Sequence, residues 1–146
     1  MFRLVEDYIR GAVAVAPPKD NYPFPLTDAV AGIAGTFYYF YEGKLKICAN
    51  TNPPQVVIVE DVPAGTGVTA RGYWVTPGMV YKASIIGNIN AAFVPGLKAA
   101  KIAVDGGTGA TVGMDGTAYA DGKWTILRIT ADGKYAFVTP SESLFH

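Results

Sequence analysis

The chain has 146 residues, of which 50% are hydrophobic and 16% are charged, and its 12 basic side chains balance its 12 acidic ones. This length favours one domain with one core, and the apolar content excludes a disordered chain. No run of like charge offers a footprint for nucleic acid or for an anionic membrane, so neither partner is expected.

The first ten residues carry an amphipathic pattern. In FRLVEDYIR, at residues 2–10, Phe2, Val5 and Ile9 fall on one helical face, which predicts a short helix. The charged residues of this segment interrupt the apolar core that a signal peptide needs. The longest uncharged runs also fall short of the roughly 18 apolar residues that indicate a membrane span. We therefore expect a soluble protein without a classical export signal.

Residues 1–28 are predicted to form an extended arm that leaves or wraps the domain. Pro17, Pro18, Pro23 and Pro25 remove amide donors, so this stretch is not expected inside a sheet. The segment DNYPFPL alternates prolines with apolar side chains, which suit an extended segment that docks on a neighbour. A disordered terminus is the alternative. The residues expected to bind the partner are Phe2, Val5, Tyr8, Ile9, Tyr22, Phe24 and Leu26.

Residues 29–146 are predicted to form a single β-domain. Short β-rich runs such as TFYYFY, KLKICA, QVVIVE and VTARGYWV alternate with turn signals. In the last third, four Asp-Gly pairs separate the runs LKAAKIAV, TAYA, KWTILRIT and KYAFVT, and Asp-Gly predicts tight hairpin turns. The expected fold is all-β, a small β-sandwich or β-barrel of short antiparallel strands with an extended N-terminal arm.

The aromatic run TFYYFYEG is predicted to form a strand with two aromatic faces. Alternation places Phe37, Tyr39 and Tyr41 on one face and Tyr38 and Phe40 on the other. The simpler interpretation is a strand buried in the core or beneath the arm. The alternative is that one face meets another subunit or a sugar, because aromatic rings are favoured at interfaces and as stacking platforms. Tyr38 and Phe40 are the candidates for such a subunit interface.

The glycine-rich stretch VDGGTGATVGMDGTAYADGK, at residues 104–123, raises the question of a ligand loop. A phosphate loop fails because the spacing between Gly116 and Gly122 is one residue too long and Lys123 is followed by tryptophan. A dinucleotide fingerprint fails on its glycine spacing. A calcium repeat fails because Thr111 stands where aspartate is needed. Turns between strands are the expected role, with no cofactor and no metal.

Catalytic groups are sparse. His146 is the only histidine and Cys48 the only cysteine, so a nucleophile has no well-held base and zinc has too few ligands. Most carboxylates lie in predicted turns, where solvated acids are ordinary. A small hydrolase that uses Asp105 and Asp115 is the least supported alternative. We expect no enzyme activity and no catalytic residues.

Two long segments carry a family resemblance. VEDVPAGTGVTARGYWVTPGMVYKA and DGTAYADGKWTILRITADGKYAFV, in a small neutral β-domain with an apolar N-terminal arm, resemble the capsid decoration, or cement, proteins of tailed bacteriophages. The likeness is greatest to those of long-tailed phages of thermophilic bacteria. It covers most of the chain and rests on architecture and on an amino-acid composition rich in Gly, Ala, Thr and Pro.

The resemblance implies a β-domain that is made in the host cytoplasm and trimerises on the outer surface of the expanded head. Such a protein binds where subunits of the major capsid protein meet, and it holds the shell against the pressure of the packaged DNA. The arm would reach onto capsid protein or onto a neighbouring decoration subunit. Family members have no catalytic residues to carry over.

A carbohydrate- or receptor-binding β-sandwich of a phage head or tail fibre is the main alternative. Its stacking residues would be Tyr38, Phe40, Trp74 or Trp124. The two tryptophans lie within predicted strands, where the simpler interpretation of each is a core residue.

Overall fold

A computed structural model of the chain describes residues 2–7, 11–12, 22–49, 52–76, 78–96, 100–119 and 121–141. These residues form twelve strands in two sheets and contain no helix. The predicted all-β fold is therefore confirmed. Within the same residues there is accordingly no helix long and apolar enough to cross a membrane.

The strands are two to eight residues long. In chain order they are β1 (Phe2–Asp7), β2 (Gly11–Ala12), β3 (Tyr22–Pro25), β4 (Phe37–Tyr41), β5 (Lys44–Ile47), β6 (Val56–Ile58), β7 (Thr69–Trp74), β8 (Met79–Ile86), β9 (Ile102–Val104), β10 (Thr111–Asp115), β11 (Trp124–Ile129) and β12 (Tyr135–Pro140).

The larger, seven-stranded sheet is built around β8. Its main path has the order β11-β12-β8-β1-β2, with antiparallel pairing throughout. Beyond the segment of β8 that pairs with β1, the C-terminal part of β8 pairs in parallel with β10. Strand β10 also pairs with β9. Alternation along β8 places Met79, Tyr81 and Ala83 in the main core. The other face of β8 carries Val80, which is also buried, and the partly buried Lys82 and Ser84.

The smaller sheet has the order β3-β7-β6-β4-β5 and curls into a nearly closed barrel. A parallel bridge joins Leu26, just after β3, to Leu45 of β5, and the amide of Thr27 donates to the carbonyl of Leu45. The two ends of the strand order therefore meet. The barrel interior is a hydrophobic cluster with contributions from all five strands, comprising Phe24, Leu26, Tyr38, Leu45, Val56, Ile58 and Ala70.

The main core lies between the two sheets and is rich in aromatic rings. Trp124 is at its centre, with ring centroids 5.4 Å from Phe2, 5.0 Å from Phe37 and 5.9 Å from Tyr81. Most of these rings meet edge to face, a geometry that stabilises aromatic pairs beyond the area they bury. The interpretation of Trp124 as a core residue is confirmed.

Turn chemistry explains only part of the glycine pattern. Glu42 and Gly43 both have positive φ, which is the two-residue hairpin geometry expected between β4 and β5. The Asp-Gly pairs at 105 and 132 lie in the β9–β10 and β11–β12 hairpins. The pairs at 115 and 121 do not connect paired strands, and residues 117–119 of the predicted run TAYA lie outside any strand. Conversely, β10 forms inside the stretch expected to be turns.

Residues 2–7 form a strand, so the predicted helix over residues 2–10 is wrong in its described part. Phe2 and Leu4, two residues apart, enter the main core, and β1 pairs with β8 from Phe2↔Ala83 to Asp7↔Met79. In a segment this short, helical periodicity is weak, and pairing along an eight-residue strand outweighs it.

Three strands from the predicted arm therefore belong to the sheets. β1 and β2 lie within the large sheet, and β3 is the first strand in the order of the small one. Pro23 and Pro25 lie in β3, at the end of this strand order, where β3 pairs with β7. Proline is tolerated at such a position because it has no backbone N–H to donate to a second neighbouring strand. Among the residues expected to anchor a partner, Tyr8 and Ile9 lie outside the described residues, as does the side chain of Val5.

Candidate functional site

Four aromatic side chains meet at one end of the small barrel, and we call this group the aromatic cap: Tyr22, Phe24, Phe40 and Trp74. The rings of Phe40 and Trp74 are stacked, with centroids 5.5 Å apart. Phe24 lies beneath both, 6.2 Å from Phe40 and 5.1 Å from Trp74. Tyr22 meets the edge of Phe24 at 6.4 Å. The cap thus joins residues from three strands that are far apart in the sequence.

Strand register places these rings together. Pairing of β3 with β7 sets Tyr22 opposite Gly72 and Phe24 opposite Ala70, and β6 sets Val56 opposite Trp74. The absence of a side chain at Gly72 allows close approach, because a Cβ there would clash with the backbone carbonyl of Val57. The side chain of Gln55 accepts a hydrogen bond from the amide of Phe40 at 2.7 Å, which fixes the end of β4.

The cap is graded from buried to exposed. Phe24 is buried, Phe40 and Trp74 are partly buried, and Tyr22 is 51% exposed. Contiguous aromatic patches that remain partly exposed, unlike single exposed rings, are typical of binding surfaces. The cap can therefore offer ring faces and edges to a partner without any rearrangement of the barrel.

Two aromatic residues that were candidates for surface roles, Tyr38 and Trp124, are instead core residues. Tyr38 is fully buried in the barrel, so its assignment to a subunit interface is wrong: its hydroxyl donates to the carbonyl of Ala31 at 2.7 Å and accepts from the amide of Ile33 at 2.8 Å. Burial raises the pKa of Tyr38 to about 12. Trp124 is equally inaccessible, which removes it from the list of possible stacking residues.

Of the arm residues expected to anchor a partner, some are buried in the structure and one is exposed. Phe2 is buried in the main core, and Phe24 and Leu26 are buried in the barrel. These three side chains pack within their own chain and are not accessible to a partner in this structure. Tyr22 keeps the exposure expected of an anchor. The physical reason is that the extended segments complete the chain's own sheets.

In the glycine-rich stretch, Asp105 organises its own turn. One carboxylate oxygen accepts from the amide of Gly107 at 3.1 Å and the other from the hydroxyl of Thr108 at 2.8 Å. These hydrogen bonds, first that of Gly107, lower the pKa of Asp105. A general acid needs the opposite shift, so the geometry gives no support to Asp105 as a proton donor.

Asp115 has a similar role at the end of β10. It accepts from the amide of Thr117 at 3.0 Å and from the hydroxyl of Tyr119 at 3.0 Å. Both carboxylates thus hold local backbone and side-chain donors. Across the described parts of the chain, no three His, Cys, Asp or Glu side chains are grouped so that they could hold a metal ion.

Gly113 in β10 and Gly116 just after it are required by packing. A Cβ on Gly113 would clash with the carbonyl of Ser84 in the neighbouring strand, and a Cβ on Gly116 would lie 2.7 Å from the carbonyl oxygen of Asn88. Gly106 has open space around it. Some of these glycines therefore permit close strand contact, while others only form turns.

A cavity of about 250 Å³ lies between the sheets, beside β1. Its lining residues include Tyr73 and Tyr81, whose hydroxyls are 3.2 Å apart and hydrogen-bonded to each other. Burial raises the pKa of Tyr73 to about 12. The lining residues include no Asp, Glu, His, Cys or Ser, so they provide no nucleophile with a base.

The sequence indicates all four cap residues but does not bring them into one group. Tyr22 and Phe24 are expected in an arm and Phe40 at a subunit interface, and only the carbohydrate-binding alternative joins Phe40 with Trp74 as stacking residues. Aromatic rings alternating with prolines ahead of an aromatic strand were the available signal. Comparisons with protein-family models, with curated proteins and with solved structures found no match.

Proposed function

We propose that the protein is a structural virion component that binds the outside of an expanded phage head and stabilises its shell. The observation that carries this proposal is the aromatic cap, a partly exposed cluster of rings on a rigid barrel. Rings of this kind serve as anchors in protein interfaces, because they bury large areas at a small cost in side-chain entropy.

The rest of the surface supports a binding role over a catalytic one. The charged residues are few and balanced, and the carboxylates of the glycine-rich stretch are engaged in turns. The partner that we assign is the major capsid protein, on the strength of the resemblance of the two long segments to decoration proteins. Localisation on the outer surface of the virion follows from that assignment.

The proposed mechanism is stabilisation by binding. A protein that binds only the expanded shell adds its binding free energy to the stability of that state. A trimer engages three sites at once and gains avidity, because the second and third contacts form at a high effective concentration. In this proposal each cap makes a modest contact, and the assembled trimer makes a strong one.

The test is cosedimentation of the purified chain with expanded heads that lack decoration protein. Tyr22→Ala removes the most exposed ring of the cap, and Tyr41→Ala is the matched control, since these tyrosines are 51% and 48% exposed. We expect Tyr22→Ala to weaken binding by about tenfold, as loss of an interface anchor does, and Tyr41→Ala to change it little. Equal binding by the wild type and Tyr22→Ala would exclude the cap as the contact.

The oligomeric state needs a separate measurement. Sedimentation equilibrium of the free chain is expected to give a trimer. A monomer at all concentrations would remove the avidity step from the mechanism, although single-site binding to the shell would still be measurable by cosedimentation.

A second candidate is a carbohydrate-binding module of a head or tail fibre, and the stacked pair Phe40 and Trp74 favours it. Aromatic platforms of this kind bind the apolar faces of sugars, and Tyr22 would extend the platform. A glycan array distinguishes the two functions. Binding to a defined glycan that is lost in Tyr22→Ala, with no binding to heads, would favour the second candidate.

A further inference from the structure

The outward face of the seven-stranded sheet carries a second possible binding surface, away from the aromatic cap. Four side chains define it, and we call it the cationic face: Lys82 on β8, Arg128 on β11, and Tyr135 and Phe137 on β12. The buried residues Ala136 and Val138 alternate with the two rings along β12, so the rings point away from the core.

Strand register places the cations on either side of one ring. Phe137 is directly opposite Lys82 on β8 and directly opposite Arg128 on β11. At the usual strand spacing, the backbones that carry the two cations are roughly 10 Å apart.

The three strands that carry this face, β8, β11 and β12, contain no Asp or Glu, whereas β1, which pairs with β8, contains Glu6 and Asp7. Within the described chain, neither Lys82 nor Arg128 forms a salt bridge; instead Lys82 Nζ lies 4.5 Å from the centroid of the Tyr135 ring, and the Arg128 guanidinium lies 4.1 Å from that of Phe137. Asp132, in the β11–β12 turn, is engaged by the hydroxyl of Thr130 and the amide of Lys134.

These contacts favour carboxylates over nucleic-acid bases as the partner groups. One face of each ring is already covered by a cation, which leaves less ring surface for the stacking that single-stranded nucleic acid requires. The cations themselves are held in place by the rings. A guanidinium fixed in this way can accept a carboxylate in two parallel hydrogen bonds.

We propose that the cationic face binds an acidic protein surface, with Arg128 and Lys82 each facing a carboxylate and Phe137 packing against an apolar group between them. The combination of arginine, aromatic rings and an apolar centre is typical of the energetic centre of protein interfaces. This inference does not depend on the partner being a viral shell, because it rests on the charges and rings of the sheet alone.

The test uses fluorescein-labelled poly-L-glutamate as the probe and measures its fluorescence anisotropy with the full chain. The double variant Lys82→Gln/Arg128→Gln removes both charges but keeps the aliphatic stems that pack on the rings. The matched control is Lys46→Gln/Lys101→Gln, which also removes two cations that lie over tyrosine rings, at 3.8 Å and 3.5 Å. Both double variants change the net charge by the same amount.

We expect the first double variant to bind the probe about tenfold more weakly and the control to stay within about twofold of wild type, since local charges dominate once salt screens distant ones. Equal losses in the two variants, or no binding by the wild type, would overturn the proposal. Tighter binding of an oligothymidylate of equal charge would overturn it in favour of nucleic acid. If the double variant fails to fold, the single variant at the exposed Arg128 gives the same test, with a smaller expected loss.

Discussion

The indole ring of Trp74 stacks on the phenyl ring of Phe40 with an interplanar angle of 30°, and together they cover Phe24 at the end of the small barrel. The contact joins β7 to β4, which are not neighbours in the sheet. It therefore closes the barrel end as well as forming the proposed binding surface.

Truncation of Trp74 is expected to be costly for stability. Trp74→Ala exposes Phe24 and leaves a void, so the free energy of unfolding should fall by about 3 kcal/mol. Tyr22→Ala, at the exposed edge of the cap, should change it by less than about 1 kcal/mol. Urea denaturation of both variants measures the difference. Equal midpoints for Trp74→Ala and wild type would show that the ring does not cover the barrel interior.

Glycines of the glycine-rich stretch should differ sharply in their tolerance of a methyl group. Gly113→Ala forces a Cβ against the carbonyl of Ser84, so β10 must move from β8, at a cost of about 2–4 kcal/mol. Gly106→Ala meets open space and should stay within about 0.5 kcal/mol of wild type. Thermal unfolding monitored by circular dichroism compares the pair. A neutral Gly113→Ala would contradict the close pairing of β10 with β8.

Buried tyrosines predict a loss of stability in alkaline solution. Burial raises the pKa of Tyr38 and of Tyr73 from the ordinary value of 10.0 to about 12. Below pH 10 both states keep these protons, and between about pH 10 and 12 only the unfolded chain releases them. The free energy of unfolding should therefore fall with rising pH in this window, by on the order of 2 kcal/mol for each tyrosine.

Tyr38→Phe isolates one of these contributions. The variant should lose about 1 kcal/mol at neutral pH, because the amide of Ile33 and the carbonyl of Ala31 lose their partner. Its stability should then decline less steeply above pH 10 than that of wild type. Urea denaturation of both proteins across this pH range gives the free energy of unfolding at each pH. If that free energy falls equally steeply in the two proteins, Tyr38 does not contribute to the alkaline loss of stability.

Cys48 is expected to be unreactive in the folded protein. Its thiol is buried and donates to the carbonyl of Pro53 at 3.4 Å, and burial raises its pKa. Because the thiolate is the reactive form, a disulfide reagent should modify the native chain at least about 100-fold more slowly than the chain in urea. Modification at the same rate in both conditions would place the thiol at the surface.

Local patterns predicted some features because those features depend on neighbouring residues alone. Alternation in the aromatic run separates Phe37 and Tyr39 from Tyr38 and Phe40, and the two pairs pack in the two different clusters, as expected. The Glu42-Gly43 hairpin follows from turn chemistry. These outcomes need no knowledge of which strands pair.

Features that depend on long-range pairing were not predictable from such patterns. Closure of the barrel through Leu26 and Leu45 is what buries Tyr38, and nothing in the sequence near Tyr38 signals it. Gly113 resembles a turn glycine until β10 pairs with β8. The six residues of β1 are too few to distinguish a helical period of about 3.6 residues from a strand period of two. Pairing with β8 is what makes this segment a strand.

The placement of β1, β2 and β3 in the two sheets changes how the N-terminal segment should be tested. Deletion of residues 1–28 would remove these three strands and the core residues Phe2, Phe24 and Leu26, so a loss of binding would report unfolding. Single substitutions at exposed positions separate the two effects.

Calorimetry of expanded heads with increasing amounts of the purified protein measures whether the protein stabilises the shell. The proposal predicts that the transition temperature of the shell rises with added protein and stops rising once its sites are full. A transition temperature that does not change at any protein concentration would contradict it.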